Sequence, residues 1–503
     1  MQYQNPIIPG YNPDPSICRV GDDFYIVNST FEFFPGVPIY HSKNLANWEL
    51  VGHCLTRRSQ LELEGCRNSG GIYAPSLRYH DGMFYMITTN VTWKGNFVVH
   101  SENIEGPWSE PAWIDQGGID PSLMWDDDGT CYYCSTGRID DKRGIVVFAI
   151  NPMTGEILSD KKIVSSGCGG QCTEGPHIYK VNGMYYLMVA EGGTEYGHHE
   201  CILRSDSIWG PYEQCPYNPI LAHMNRKGYE IQATGHADMV QDQNGNWWGV
   251  CLAYRNFSHA LLHNLGRETF LTPVHWTEDG WPIFGNNGYI DMVMDGPLPA
   301  DPQPVCHDRV MDFTQPELDH HFVFTRNPQM ENFVLDNAAG TLTLKGTDIT
   351  ISQPGTSPTI LSTQQPAFCT HVESIMDAGA TNAVRSGISA YYNNDYHYDI
   401  YLSADETGKY VGFTKSIHDM TVEITRQKIS DAGNVTLFID SDREKYTFSY
   451  QEEGKEAVVL GSGHNAGLST EGTKTMTFTG TMFAMFAEKG DGVFRSFELH
   501  VTE

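Results

Sequence analysis

Thr173–Glu191, TEGPHIYKVNGMYYLMVAE, decides the fold. It reads as a strand, a tight turn at Asn182-Gly183 and a second strand rich in aromatic residues. Asn-Gly between two apolar runs is the strongest short-range signal for a hairpin. The phrase recurs four more times: DPSICRVGDDFYIVNS from Asp14, APSLRYHDGMFYMITT from Ala74, DPSLMWDDDGTCYYCST from Asp120 and HADMVQDQNGNWWGVCLA from His236. Aligned on turn and aromatic pair, the copies place Asp14, Ala74, Asp120, Glu174 and His236 in one column. Three of the five are acids, and that column is where chemistry is expected.

The turns fall near Gly21, Gly82, Gly129, Gly183 and Gly245, at spacings of 61, 47, 54 and 62 residues. That is the period of a four-stranded propeller blade with loops of varied length. Each copy has a second half, such as HSKNLANWELVG after the first and RSDSIWGPYEQCP after the fourth, which reads as outer strands joined by Gly/Pro/Asn turns. Five copies predict a five-bladed β-propeller over residues 1–297. Four prolines in the nine residues Gly296–Pro304 make a stiff linker, taken as 298–307. Beyond it the phrase disappears. Short alternating runs such as GTLTLKG, DYHYDIYLS and NVTLFIDSD predict a jelly-roll-like β-sandwich over 308–503, so the chain is all-β.

Lys and Arg total 32 against 62 Asp and Glu, a net charge of −30. So acidic a surface repels nucleic acid and anionic lipid, and neutral substrates suit it better. No apolar run approaches the roughly 20 residues of a membrane span. The N-terminal MQYQNPIIPGYNPDP has no basic and apolar leader pattern, which predicts a cytoplasmic protein, or a secreted or periplasmic one if a leader has been removed. Homo-oligomerisation is compatible with the sequence. Twelve cysteines in 503 residues are no disulfide scaffold. Cys168 and Cys172 form CxxxC without a second pair at zinc spacing and are read as thiols rather than ligands. His259-Ala-Leu-Leu-His263 has the spacing of a zinc-protease pair but lacks its glutamate, in a region that reads as β.

Innermost propeller strands run parallel around one axis, so residues at the same point of each strand form a ring. Three acids on such a ring suit glycoside hydrolysis, which needs one protonated carboxyl to serve the leaving oxygen and one carboxylate to activate water. Glu174, with the longer reach, is assigned as acid and Asp14 as base. Asp120 adds like charge that keeps the acid protonated.

NPIIPGYNPDPSI, STFEFFPGVPIYHSKNLANWELVGH, GGIYAPSL, GGIDPSLMWDDDG, TEGPHIYK, ATGHADMV and LGRETFLTPVHWTEDGWPIF together resemble glycoside hydrolase family 43. The likeness is to its two-domain β-xylosidases and α-L-arabinofuranosidases. It implies an inverting, exo-acting enzyme with Asp14 as general base, Asp120 as orienting and pKa-modulating residue, and Glu174 as general acid. The expected activity is release of xylose from the non-reducing ends of β-1,4-xylo-oligosaccharides, with α-L-arabinofuranosidase activity beside it. The alternatives are mainly an arabinofuranosidase, or a carbohydrate-binding propeller without catalysis. By the same resemblance Arg267 contacts substrate hydroxyls, His236 stands on the axis, and Phe31 and Phe33 form an aromatic wall. Tyr73, Ala74 and Thr194 complete the substrate-binding set. No cofactor is required; a calcium ion near His236 is the one metal the resemblance admits. Tyr73 stands where the closest relatives carry tryptophan, and Ile119 where they tend to carry an aromatic, which leaves the sugar preference open.

Overall fold

At Asn182-Gly183 both residues are left-handed, with φ of 50° and 79°. This is the turn whose twist matches that of the strands it joins. Gly21, Gly82, Gly129 and Gly245 also have positive φ at the equivalent corners. The computed structural model describes residues 1–226, 228–257, 261–473 and 477–502. His259 therefore lies outside the described residues.

Each hairpin is the inner half of a four- or five-stranded antiparallel sheet. The innermost strands are Ser16–Val20, Ser76–His80, Ile119–Trp125, Glu174–Val181 and Ile231–Gln241. Each packs on the next and the fifth returns to the first, closing a five-bladed propeller. The blades are numbered 1 to 5 in that order. The extreme N-terminus seals the ring: Gln2–Gln4 pairs with Val293–Asp295, and the Ile7 and Ile8 amides donate to the Thr269 carbonyl in blade 5. Apolar side chains on facing sheets fill the clefts between blades. Met86, Val99 and Leu77 lie between blades 1 and 2, and Leu187, Val189 and Ile145 between blades 3 and 4.

After the propeller come two antiparallel sheets around one core that includes Leu342, Ile388, Phe448 and Phe494. The expected β-sandwich is present. One of its sheets borrows a strand from the propeller. Phe33–Phe34 of blade 1 pairs antiparallel with Val323–Thr325, Phe34 opposite Phe324 and Phe33 opposite Thr325. Asn327 strengthens this junction by donating to the Leu61 carbonyl and accepting from the Leu63 amide, at 2.8 and 2.6 Å. The two domains therefore share a continuous hydrogen-bonded sheet. No helix among the described residues is long and apolar enough to cross a membrane.

Candidate active site

The register of the inner strands refines the column read from sequence. The unbroken ladders of the five blades, past the register shifts in blades 3, 4 and 5, begin at Ser16, Ser76, Ser122, His177 and Asp238. Two residues before each stand Asp14, Ala74, Asp120, Gly175 and His236. Asp14, Asp120, Gly175 and His236 share a left-handed backbone, with φ of 52°, 57°, 56° and 48°. Glu174 is thus one residue ahead of the column and pairs across its hairpin with Ala190, as Ile119 pairs with Thr136 in blade 3. Glycine holds the column position in blade 4 for a steric reason: a Cβ on Gly175 would lie 3.2 Å from the His236 ring. Glu174 gains its place by this offset.

All three acids nevertheless meet in one cavity of about 90 Å³, with Phe31, Tyr73, Ala74, Ile119, Thr194, His236, Arg267 and Phe478 around them. Asp14 is buried. Its Oδ1 accepts from Arg267 Nη1 at 2.9 Å and its Oδ2 from the Ser29 hydroxyl at 2.5 Å. Burial by itself would raise this carboxyl, but Arg267, His236 and Ser29 outweigh it and hold Asp14 below its ordinary value. Asp120, equally buried, has no such cation against it. Its Oδ2 accepts only the Gly175 amide, at 3.1 Å. Burial, with the like charges of Glu174 and Asp14, pushes Asp120 up to about 7, against the partial relief of His236 and that amide. The cavity therefore has a fixed carboxylate at Asp14 and, across from it at Asp120, a carboxyl that keeps its proton toward neutral pH.

His198 was not singled out from the sequence. It is fully buried behind Glu174, with Nδ1 3.1 Å from the Ala233 carbonyl and Nε2 3.6 Å from Glu174 Oε1. A carbonyl only accepts, so Nδ1 carries a proton. Nε2 has no hydrogen-bond partner among the described residues and faces the Glu174 carboxyl.

The pocket wall is aromatic on one side. Phe31 lies 5.2 Å from Tyr73 and 5.6 Å from Phe478, ring centre to ring centre. Phe478 comes from the sandwich and was invisible to a reading of the repeats. Its amide donates to Ser69 Oγ at 2.9 Å, and its carbonyl accepts from Arg267 Nη2 at 3.2 Å. The loop reaches this far because Gly480 crosses the backbone at Leu265-Gly266 in contact: a Cβ on Gly480 would lie 2.3 Å from the Leu265 carbonyl oxygen and 2.7 Å from the Gly266 nitrogen. Arg267 also reaches Thr194 Oγ1 at 3.1 Å, so it joins Asp14, a pocket hydroxyl and the second domain. Phe33 departs from expectation: it does not line the cavity. Strand pairing with Thr325 turns it into the layer behind, where it packs 5.9 Å from Tyr11.

Beneath the acids the propeller axis is filled by Arg78. Its guanidinium donates to both carboxylate oxygens of Asp238 and to His177 Nδ1, while Ser16 donates to the same Asp238. The residues near His236 do not fit calcium, which asks for six to eight oxygen ligands. The nearest carboxylate, Asp14, is already held by Arg267 and Ser29, and the next ring down carries a fixed positive charge. Glu191, His199 and Cys201 do stand together in blade 4. Both Glu191 oxygens, however, take backbone amides, of Cys168 and Gly170, and so pin the loop before Glu174. No disulfide joins cysteines among the described residues. His263 pairs with Glu471 at 2.7 Å.

The comparisons with known proteins agree with this geometry. Residues 3–282 match the model of glycosyl hydrolases family 43, and residues 310–495 that of the beta xylosidase C-terminal concanavalin A-like domain. A non-reducing end alpha-L-arabinofuranosidase of Bacteroides ovatus is 41% identical over 499 residues, covering 97% of this chain and 92% of the relative. A xylan 1,3-beta-xylosidase of a Vibrio species is 36% identical, covering 96% and 95%. The crystal structure of xylan beta-1,4-xylosidase from Bacillus halodurans superposes with a TM-score of 0.92 at 34% identity, covering 99% and 100%. Sequence, fold and site together show that the chain belongs to glycoside hydrolase family 43.

Proposed function

We propose that this enzyme removes single pentose units from non-reducing ends, with inversion: xylose from β-1,4-xylo-oligosaccharides and arabinose from α-L-arabinofuranosides. The observation that carries this reading is the small cavity holding all three carboxyl groups and closed on one side by Phe478. About 90 Å³ suits one sugar ring and not a chain, since pockets for larger ligands run to several hundred. In the reaction Asp14, held ionised by Arg267, takes a proton from water as that water attacks the anomeric carbon. Glu174 protonates the departing oxygen. Asp120 orients the sugar, and its own carboxyl, pushed up to about 7 by burial and by Glu174 and Asp14, keeps a proton on that side of the site. Two carboxyl groups suffice for this chemistry.

A reading as mainly an arabinofuranosidase is favoured by Tyr73 and Ile119, which both line the sugar cavity in place of larger aromatics. Purified enzyme assayed on aryl β-xyloside and aryl α-L-arabinofuranoside decides between them through the ratio of kcat/KM. Both at background would overturn the enzyme reading and favour a carbohydrate-binding propeller. A cytoplasmic location and a homo-oligomeric state belong to the same proposal, to be checked by cell fractionation and by light scattering.

A further inference from the structure

Glu174 and Ile119 line a second space besides the sugar cavity: an open groove of about 600 Å³ between the hairpin of blade 3 and the loop that precedes blade 4. The general acid faces the oxygen that leaves, so the group attached to that oxygen must pass Glu174 into this groove. The groove exists because backbone replaces side chains along it. At Gly118, with φ of 113°, a Cβ would lie 1.8 Å from the Thr136 carbonyl oxygen.

The groove's charge is opposite to that of the molecule. Arg138 and Arg143 both line it and stand directly opposite each other across the blade 3 hairpin. Like charges in that position repel. Among the described residues neither guanidinium has an ion pair or side-chain hydrogen bond, although Asp140 and Asp141 occupy the turn between them. Glu174 is the groove's one carboxyl. In a chain with 62 acidic and 32 basic residues, two uncompensated arginines beside the acid are a site for an anion.

Resting on the family 43 reading above, we infer that Arg138 and Arg143 select substrates whose leaving group carries a carboxylate, a uronic acid residue being the sugar of that class. The guanidinium fork matches a carboxylate in two-point contact, which a neutral xylose or glucose residue cannot return. Both arginines are exposed, so the discrimination is modest: about three- to tenfold for two such contacts.

The test compares 4-carboxyphenyl with 4-carbamoylphenyl α-L-arabinofuranoside and β-xyloside, in wild type and in the double variant Arg138→Gln/Arg143→Gln. The quantity read is the carboxylate-to-carboxamide ratio of kcat/KM, so the difference in phenol acidity cancels between enzymes. The ratio should fall about three- to tenfold in the double variant. In wild type it should fall likewise as NaCl is raised, because exposed charges are screened. Arg138→Lys/Arg143→Lys, which keeps charge and loses the fork, should fall in between. A ratio unchanged by the Gln variant while both neutral glycosides are hydrolysed would overturn the inference and leave the functional reading intact. No hydrolysis of any of the four would overturn both.

Discussion

Asp14 and Asp120 are the same residue type in the same column, and their surroundings drive them apart. Arg267 holds one ionised; burial beside two other acids holds the other near 7. A stability effect follows. Between the unfolded-state value near 4 and about 7, folded Asp120 retains a proton that the unfolded chain has released, so its contribution to stability falls as pH rises through that window. Asn has no proton to lose. Asp120→Asn should therefore match wild type near pH 4 and exceed it at pH 8, by up to about 4 kcal/mol, while losing activity. Urea unfolding at the two pH values measures this; an equal difference at both would show that Asp120 is not strained by its charge. Glu174 is tested by leaving group. Glu174→Ala should lose about 10²–10⁴ in rate on xylobiose but much less on an aryl glycoside of an acidic phenol, which departs without protonation. Equal losses would move the acid elsewhere.

Two elements place these residues, and both turn on glycine. In blade 4, Gly175 lets the strand pass the His236 ring, and its amide is the one backbone donor to Asp120. Gly175→Ala meets both the ring and an unfavourable φ, so it should cost about 1–3 kcal/mol of stability and at least tenfold in kcat, read by thermal melting and single-substrate kinetics. In the sandwich loop, a Cβ on Gly480 would sit 2.3 Å from the Leu265 carbonyl oxygen. Gly480→Ala should push the loop outward and carry Phe478 from the pocket. Its kinetics should then resemble those of Phe478→Ala: kcat/KM on short substrates down about tenfold, with the fold unchanged by circular dichroism. Full activity in both would detach the second domain from the site.

At the scale of the molecule, the five blades were legible because each repeats one hairpin phrase, and a repeated strand about an axis makes a ring. The acids were legible because they break an apolar pattern at a repeated point. The one-residue offset of Glu174 was not, because turn-based alignment absorbs a bulge that only strand register reveals. Phe478 and the sheet shared through Phe33–Phe34 join segments more than 200 residues apart in sequence, and no local pattern records such a contact. Phe33 was misplaced for the same reason: the resemblance put it in the aromatic wall with Phe31, and its pairing with Thr325 turns it behind that wall. His198 follows Gly197 in a loop, and its role depends on which carbonyl fixes its tautomer.

The central claim is a water-activating base and a proton-donating acid on opposite sides of one sugar, and it is tested most directly by the stereochemistry of the first product. Proton NMR during hydrolysis of an aryl β-xyloside should show α-xylose appearing first and β-xylose growing only by mutarotation. β-Xylose appearing first would mean a retained configuration, a covalent intermediate and a different division of labour among Asp14, Asp120 and Glu174.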